Sequence, residues 1–178
     1  MDGFISNYFS KLFTSDGCQN DEILDCVETK VTAEQNDLLV EPFSASEAKL
    51  TLFEMHSDKL PGPDNMNPAF YQRFWLNVAE DMTKACLHFI ATCSFPMGLN
   101  DTSIVLIPKK PKPESISDMR PIALCNVLYK IVAKMLSNKM KAILGSVVFE
   151  SQSAFMSGRA ITDNILISSD IMHFFKRK

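Results

Sequence analysis

The chain has 178 residues, 46% of them hydrophobic and 22% charged, which fits one domain or a domain with a flanking segment and excludes global disorder. No apolar run approaches the ~20 residues that span a bilayer, so a membrane is not an expected partner. The net charge of −3 conceals an asymmetry: residues 1–100 carry six Lys/Arg against fifteen Asp/Glu, and residues 101–178 carry twelve against six, so an anionic partner is expected in the second half.

The N-terminal stretch lacks a basic segment followed by a long apolar one, so no secretory signal is expected. Cysteines stand at 18, 26, 86, 93 and 125, an odd number with no C-x-x-C pair, and they read as free thiols in a reducing compartment. His56, His88 and His173 are far apart, without the ligand spacing of a zinc site.

Phe4, Ile5, Tyr8, Phe9, Leu12 and Phe13 recur at helical spacing and predict an amphipathic helix over 1–13, stopped by Ser15-Asp16-Gly17. The acidic stretch from Asp16 to Glu28 reads as a connector, so 1–41 is expected to be an N-terminal extension with one amphipathic helix. Ser44 and Glu47 form a capping box ahead of a helix over 45–54, with Ala48, Leu52 and Met55 toward a core. Pro61-Gly62-Pro63 makes a stiff, exposed turn, and Asn67-Pro68 starts a further helix. Phe70, Tyr71, Phe74, Trp75 and Val78 are read as its core-facing stripe, followed by a helical stretch over 79–92.

The stretch Ser103–Leu124 reads as two extended segments joined by a proline-punctuated polar loop. Lys109, Lys110 and Arg120 stand at its mouth. Fixed cations on such a frame suit a triphosphate or a nucleic-acid backbone, and a surface hairpin with solvated charges is the other reading. Asn126 opens a long helix to about Leu144, ended by Gly145, with Leu128, Ile131, Val132, Met135, Leu136, Ile143 and Leu144 as its apolar stripe. Its Lys130, Lys134, Lys139 and Lys141 either track a phosphate backbone or form a wet face. A polar loop over 150–159 holds Phe155 and Arg159. A last helix, capped at Thr162 or Asp163, turns Ile165, Leu166, Met172 and Phe175 toward the core, and Asp170 reads as a surface residue on it.

Four ordered blocks, LPGPDNMNPAFYQRFW (60–75), LNDTSIVLIPKK (99–110), MRPIALCNVLYKIVAKML (119–136) and ESQSAFMSGRAITDNI (150–165), resemble the front of a reverse transcriptase from a LINE-type (non-LTR) retrotransposon, most like the plant elements. YFSKLFTS (8–15) resembles the segment joining that family's endonuclease to its polymerase. The resemblance implies an α+β, mostly helical fold: a partial right-hand polymerase, fingers and the start of the palm, over 42–178, with a small antiparallel β hairpin. It implies that Lys109 and Arg120 grip the incoming nucleotide's triphosphate. Lys110, Phe155, Gly158 and Arg159 fall in blocks near the template and primer, Gln152 stands in the same block, and the turn at Pro61–Asp64 is linked to template handling. RNA template, DNA primer and dNTP are the partners implied for the full-length enzyme, in an intracellular, nuclear setting. Asn65 stands where the family usually has glycine, and Met119 where an aromatic is common.

The family's metal-binding aspartates lie downstream of these blocks, and the sequence contains no Asp-Asp pair. The resemblance therefore implies a fragment of an RNA-directed DNA polymerase that has no catalytic or metal-binding residues, binds no Mg2+, which belongs to the full-length enzyme, and is inactive alone. Two alternatives stay open: a noncatalytic nucleic-acid-binding module, and the remnant of a decayed retroelement with no selected function. An exposed surface meant for a palm, on the helices over 126–144 and 162–176, is expected to favour self-association.

Overall fold

The computed structural model describes residues 2–15, 17, 26 and 28–176. Most of the connector read over 16–28, and Cys18, lie outside the described residues. The observed architecture is mostly helical with one two-stranded antiparallel sheet. The elements are α1 (Asp2–Phe13), α2 (Ala33–Val40), α3 (Ala45–Phe53), α4 (Pro68–Arg73), α5 (Trp75–Thr92), β1 (Thr102–Pro108), a 3-10 turn (Ile116–Asp118), β2 (Met119–Cys125), α6 (Val127–Val147) and α7 (Ile161–Lys176).

The chain divides into two compact units, residues 1–28 with 44–132, and residues 29–43 with 133–178. This division cuts the chain differently from the 1–41 and 42–178 reading. α6 contributes its first turns to one unit and the remainder to the other.

In the first unit, α3 begins where its sequence dictates. The Glu47 backbone N–H donates to Ser44 Oγ at 3.3 Å, and the Ser44 N–H donates to Glu47 Oε2 at 2.6 Å. α3 buries Ala48, Thr51 and Leu52, and Met55 is buried just beyond it. Its last carbonyls are taken up by α4: Gln72 Nε2 donates to the carbonyls of Leu52 and Met55, both at 2.9 Å. α4 starts at Pro68 under Asn67, whose Oδ1 accepts the Phe70 N–H at 3.0 Å. α5 adds Met82 and Cys86 to the core, and the start of α6 adds Val127, Leu128, Ile131 and Val132.

The aromatic stripe departs from its expectation. The helix breaks at Phe74 between α4 and α5, and Phe70 and Phe74 stay exposed. They pack on one another, with ring centroids 5.1 Å apart, rather than into a core. The turn at 61–63 is not simply exposed either, because Gly62 is buried. A Cβ at Gly62 would overlap the backbone of Cys125 and Asn126, so glycine is required there for space.

The hairpin follows the expected runs, with Thr102 opposite Cys125 and Pro108 opposite Met119. Pro121 is tolerated inside β2 because a two-stranded sheet has only edge strands.

In the second unit, α2 is a helix that the 1–41 extension did not anticipate. Thr32 and Gln35 form its capping box, and Gln35 Nε2 reaches Ser146 Oγ at 2.8 Å. Gly145 does not end α6, which runs on to Val147. Met135 and Ile143 are buried on it, while Leu136 is exposed. α7 corrects a further expectation: every residue from 161 to 176 is exposed, so Ile165, Leu166, Met172 and Phe175 face no core.

Candidate anion-binding hairpin and basic groove

Register places two of the hairpin's cations, Lys109 and Arg120, near one another, and an ion pair with Asp118 brings in Lys110. Ile107 lies opposite Arg120, and opposite residues of an antiparallel pair share a face. Alternation places Lys109, two residues after Ile107, toward that same face. The Lys109 N–H donates to the Asp118 carbonyl at 2.7 Å, which carries the pairing one step past Pro108.

The three cations differ in what they hold. Lys109 Nζ donates to the Ser117 carbonyl at 2.7 Å. Lys110 Nζ lies 3.0 Å from Asp118 Oδ2 in an ion pair. Arg120 is exposed, and no hydrogen bond or ion pair joins its side chain to a described residue.

Asp118 was not singled out from the sequence, although Ser115-Ile116-Ser117-Asp118 has the spacing of a capping box. Its Oδ2 accepts from the N–H of Glu114 at 3.0 Å, the N–H of Ser115 at 3.1 Å and the Ser115 hydroxyl at 3.2 Å. The Glu114 N–H, then Lys110, hold this carboxyl down at about 2, so it stays ionised at ordinary pH.

The base of the hairpin is tied by a second residue whose role the sequence did not announce. Asn126 is buried. Its Oδ1 accepts the Asp64 N–H at 3.3 Å, and its Nδ2 donates to the Leu99 carbonyl at 3.2 Å. Lys130 Nζ donates to the Leu60 carbonyl at 2.7 Å. The 60–64 turn, the approach to β1 and the exit from β2 are thereby held at one place. Asn65 takes the left-handed conformation, φ 57°, which asparagine tolerates where the resembled family has glycine.

The chain is similar to a transposon protein. It is 29% identical over 174 residues to the transposon TX1 uncharacterized 149 kDa protein of Xenopus laevis. That match covers 96% of this chain and 13% of the length of the frog protein. No family model matches the chain.

Like the hairpin, the loop after α6 lies within the similar stretch, and it belongs to the second unit. Arg159 is half-buried, and one nitrogen of its guanidinium is engaged by the loop itself. Its Nη1 donates to the carbonyls of Phe149 at 2.6 Å and Gln152 at 2.9 Å, closing the loop on itself. Asn164 Nδ2 fastens the loop to α7 through the Ser151 carbonyl at 2.8 Å. Gly158 takes φ 79°, a conformation open to glycine.

Phe155 is fully exposed at φ 63°, an unusual backbone state for an aromatic residue. It borders a groove of about 740 Å³ that Lys134, Ser137, Asn138, Lys141 and Ser157 also line. Lys139 is not part of that groove. Its ammonium donates to the Glu41 carbonyl and sits 4.0 Å from the Phe43 ring centroid. Of the lysines of α6, Lys134 and Lys141 line the groove.

Proposed function

We propose that this chain is the nucleotide- and template-contacting fingers part of a reverse transcriptase of a LINE-type retrotransposon. The support is the similarity to a transposon protein, together with the four sequence blocks. The observation that carries the reading is the hairpin mouth: an exposed, unpaired Arg120 opposite Ile107, with Lys109 and Lys110 across the loop. A forked guanidinium on a fixed strand holds two phosphate oxygens at once, which a mobile lysine does not do.

Nucleotidyl transfer in such an enzyme uses divalent metal. Among the described residues, no group of three or more His, Cys, Asp or Glu converges to hold a metal ion. The described residues do not fit that centre, and no chemical step is assigned to them. Binding that is equal in ground and transition states does not accelerate a reaction.

Two measurements test this. Titration with a deoxynucleoside triphosphate should show binding that Arg120→Ala weakens by about tenfold, the scale of one charge-assisted hydrogen bond. The same variant should change duplex binding little. In a magnesium primer-extension assay the chain alone should give no product, and any template-dependent product would overturn the reading.

The groove at Phe155 favours a second reading, a noncatalytic nucleic-acid-binding module. There, single-stranded binding should depend on Phe155 and fall steeply with salt, whereas triphosphate binding at Arg120 should be absent.

A further inference from the structure

We propose that Asp118 is an internal competitor for the hairpin's anionic ligand: it occupies Lys110 until a phosphate-bearing ligand displaces it. This concerns the regulation of the triphosphate grip and rests on that reading. Three features of the mouth carry it.

First, both lysines are already held by one short turn, Lys109 by the Ser117 carbonyl at 2.7 Å and Lys110 by Asp118 at 3.0 Å. An incoming anion meets Arg120 open and the two lysines engaged. Second, Asp118 does not depend on Lys110 for its place. Two backbone N–H groups and a hydroxyl hold the same oxygen, so losing the ammonium leaves the carboxylate satisfied. Lys110 is therefore the exchangeable partner. Third, Pro111 and Pro113 stiffen the loop that carries Lys110 back toward the turn, so the competing carboxylate stays within reach.

The consequence is a threshold in ligand charge. A polyanion gains enough from Arg120, Lys109 and Lys110 to displace one carboxylate, whereas a small anion of lower charge does not. The charged groups of the loop and strand ends are Lys109, Lys110, Lys112, Glu114, Asp118 and Arg120. Glu114 supplies a control, because it is exposed and contributes its backbone N–H, not its carboxylate, to Asp118.

The test is calorimetric titration of the full chain with inorganic triphosphate and with inorganic phosphate at fixed ionic strength. Asp118→Asn keeps an oxygen acceptor for the two N–H groups and removes the charge. It should tighten triphosphate binding about three- to fivefold, the scale of one exposed ion pair, and bring phosphate binding into range. Glu114→Gln should change either by less than about twofold. Amide exchange at Glu114 and Ser115 should remain slow in Asp118→Asn, showing the turn intact. An equal gain in both variants, or no gain in Asp118→Asn with the turn intact, would overturn the competitor. A turn that opens in Asp118→Asn without tightening triphosphate binding also counts against it. Triphosphate binding by none of the forms would instead remove the underlying reading of the mouth.

Discussion

At Gly62 and Asn126, two side-chain choices decide whether the hairpin has a base. Gly62→Ala drives a methyl into the backbone of Cys125 and Asn126, and such overpacking costs about 1–3 kcal/mol. Asn126→Ala removes the partner of the Asp64 N–H and the Leu99 carbonyl, a loss of about 1–3 kcal/mol. Both variants should lower the urea midpoint. Unchanged midpoints would show that the junction does not hold the turn. Two other residues set the alkaline limit. Burial pushes the Tyr71 hydroxyl up to about 12, helped by Asp64, and burial pushes the Cys86 thiol up to about 12. The folded chain keeps both protons where the unfolded chain sheds them, so their contribution to stability is complete below about pH 9 and is lost as pH rises toward 12. Tyr71→Phe should flatten part of that decline in denaturation midpoints measured from pH 9 to 11. A slope identical to that of the parent would contradict the assignment. None of these roles is written in residue type alone. A glycine between two prolines announces a turn, and only the folded chain shows that Cys125 and Asn126 close against it.

Elements were legible where their signals are local. The box at Ser44 and Glu47, the Asn67-Pro68 start and the two apolar runs of the hairpin each depend on neighbours within a few residues, and each forms as read. The box at Thr32 and Gln35 carries the same signal but precedes a short helix with no buried residue, so periodicity gave it no support. Gly145 failed as a stop because α6 has further residues on the same helical path, and a glycine inside a helix costs only about 1 kcal/mol. The cations at 109, 110 and 120 were visible as a group. Their division into engaged and open ones was not, since it depends on where the 3-10 turn places Ser117 and Asp118. That turn has an acid limit of its own. With the Asp118 carboxyl held at about 2, the contacts it makes are complete above about pH 4 and are lost as pH falls toward 2. Protection of the Glu114 and Ser115 amides, measured as exchange relative to an unstructured peptide at the same pH, should fall across that window and persist above it. Absence of protection at pH 6 would mean that the turn is not formed.

For the whole molecule, the apolar surface that remains open has the larger consequence. Ile165, Leu166, Ile171, Met172, Phe174 and Phe175 on α7 are each more than half exposed, and no residue of that helix is buried. On the hairpin, Ile104, Val105, Ile107 and Ile122 are 40–55% exposed, and register puts them on both faces of the sheet. Scattered apolar residues are ordinary on a protein surface, but a helix that exposes this many around its circumference has apolar area to cover. At about 25 cal/mol per Å2, covering several such side chains is worth a few kcal/mol for each copy, which offsets part of the cost of bringing copies together and favours association as concentration rises. The isolated chain should therefore run larger than its 20.0 kDa in light scattering, with a mass that rises with concentration. Replacing Ile171 and Phe175 with glutamate removes apolar area from α7 and adds like charge, so the double variant should shift the mass toward the monomer with little effect on Arg120-dependent triphosphate binding. A wild-type chain that stays monomeric across that range would show that the open apolar surface does not drive association. A double variant that loses triphosphate binding would show instead that α7 supports the hairpin's grip.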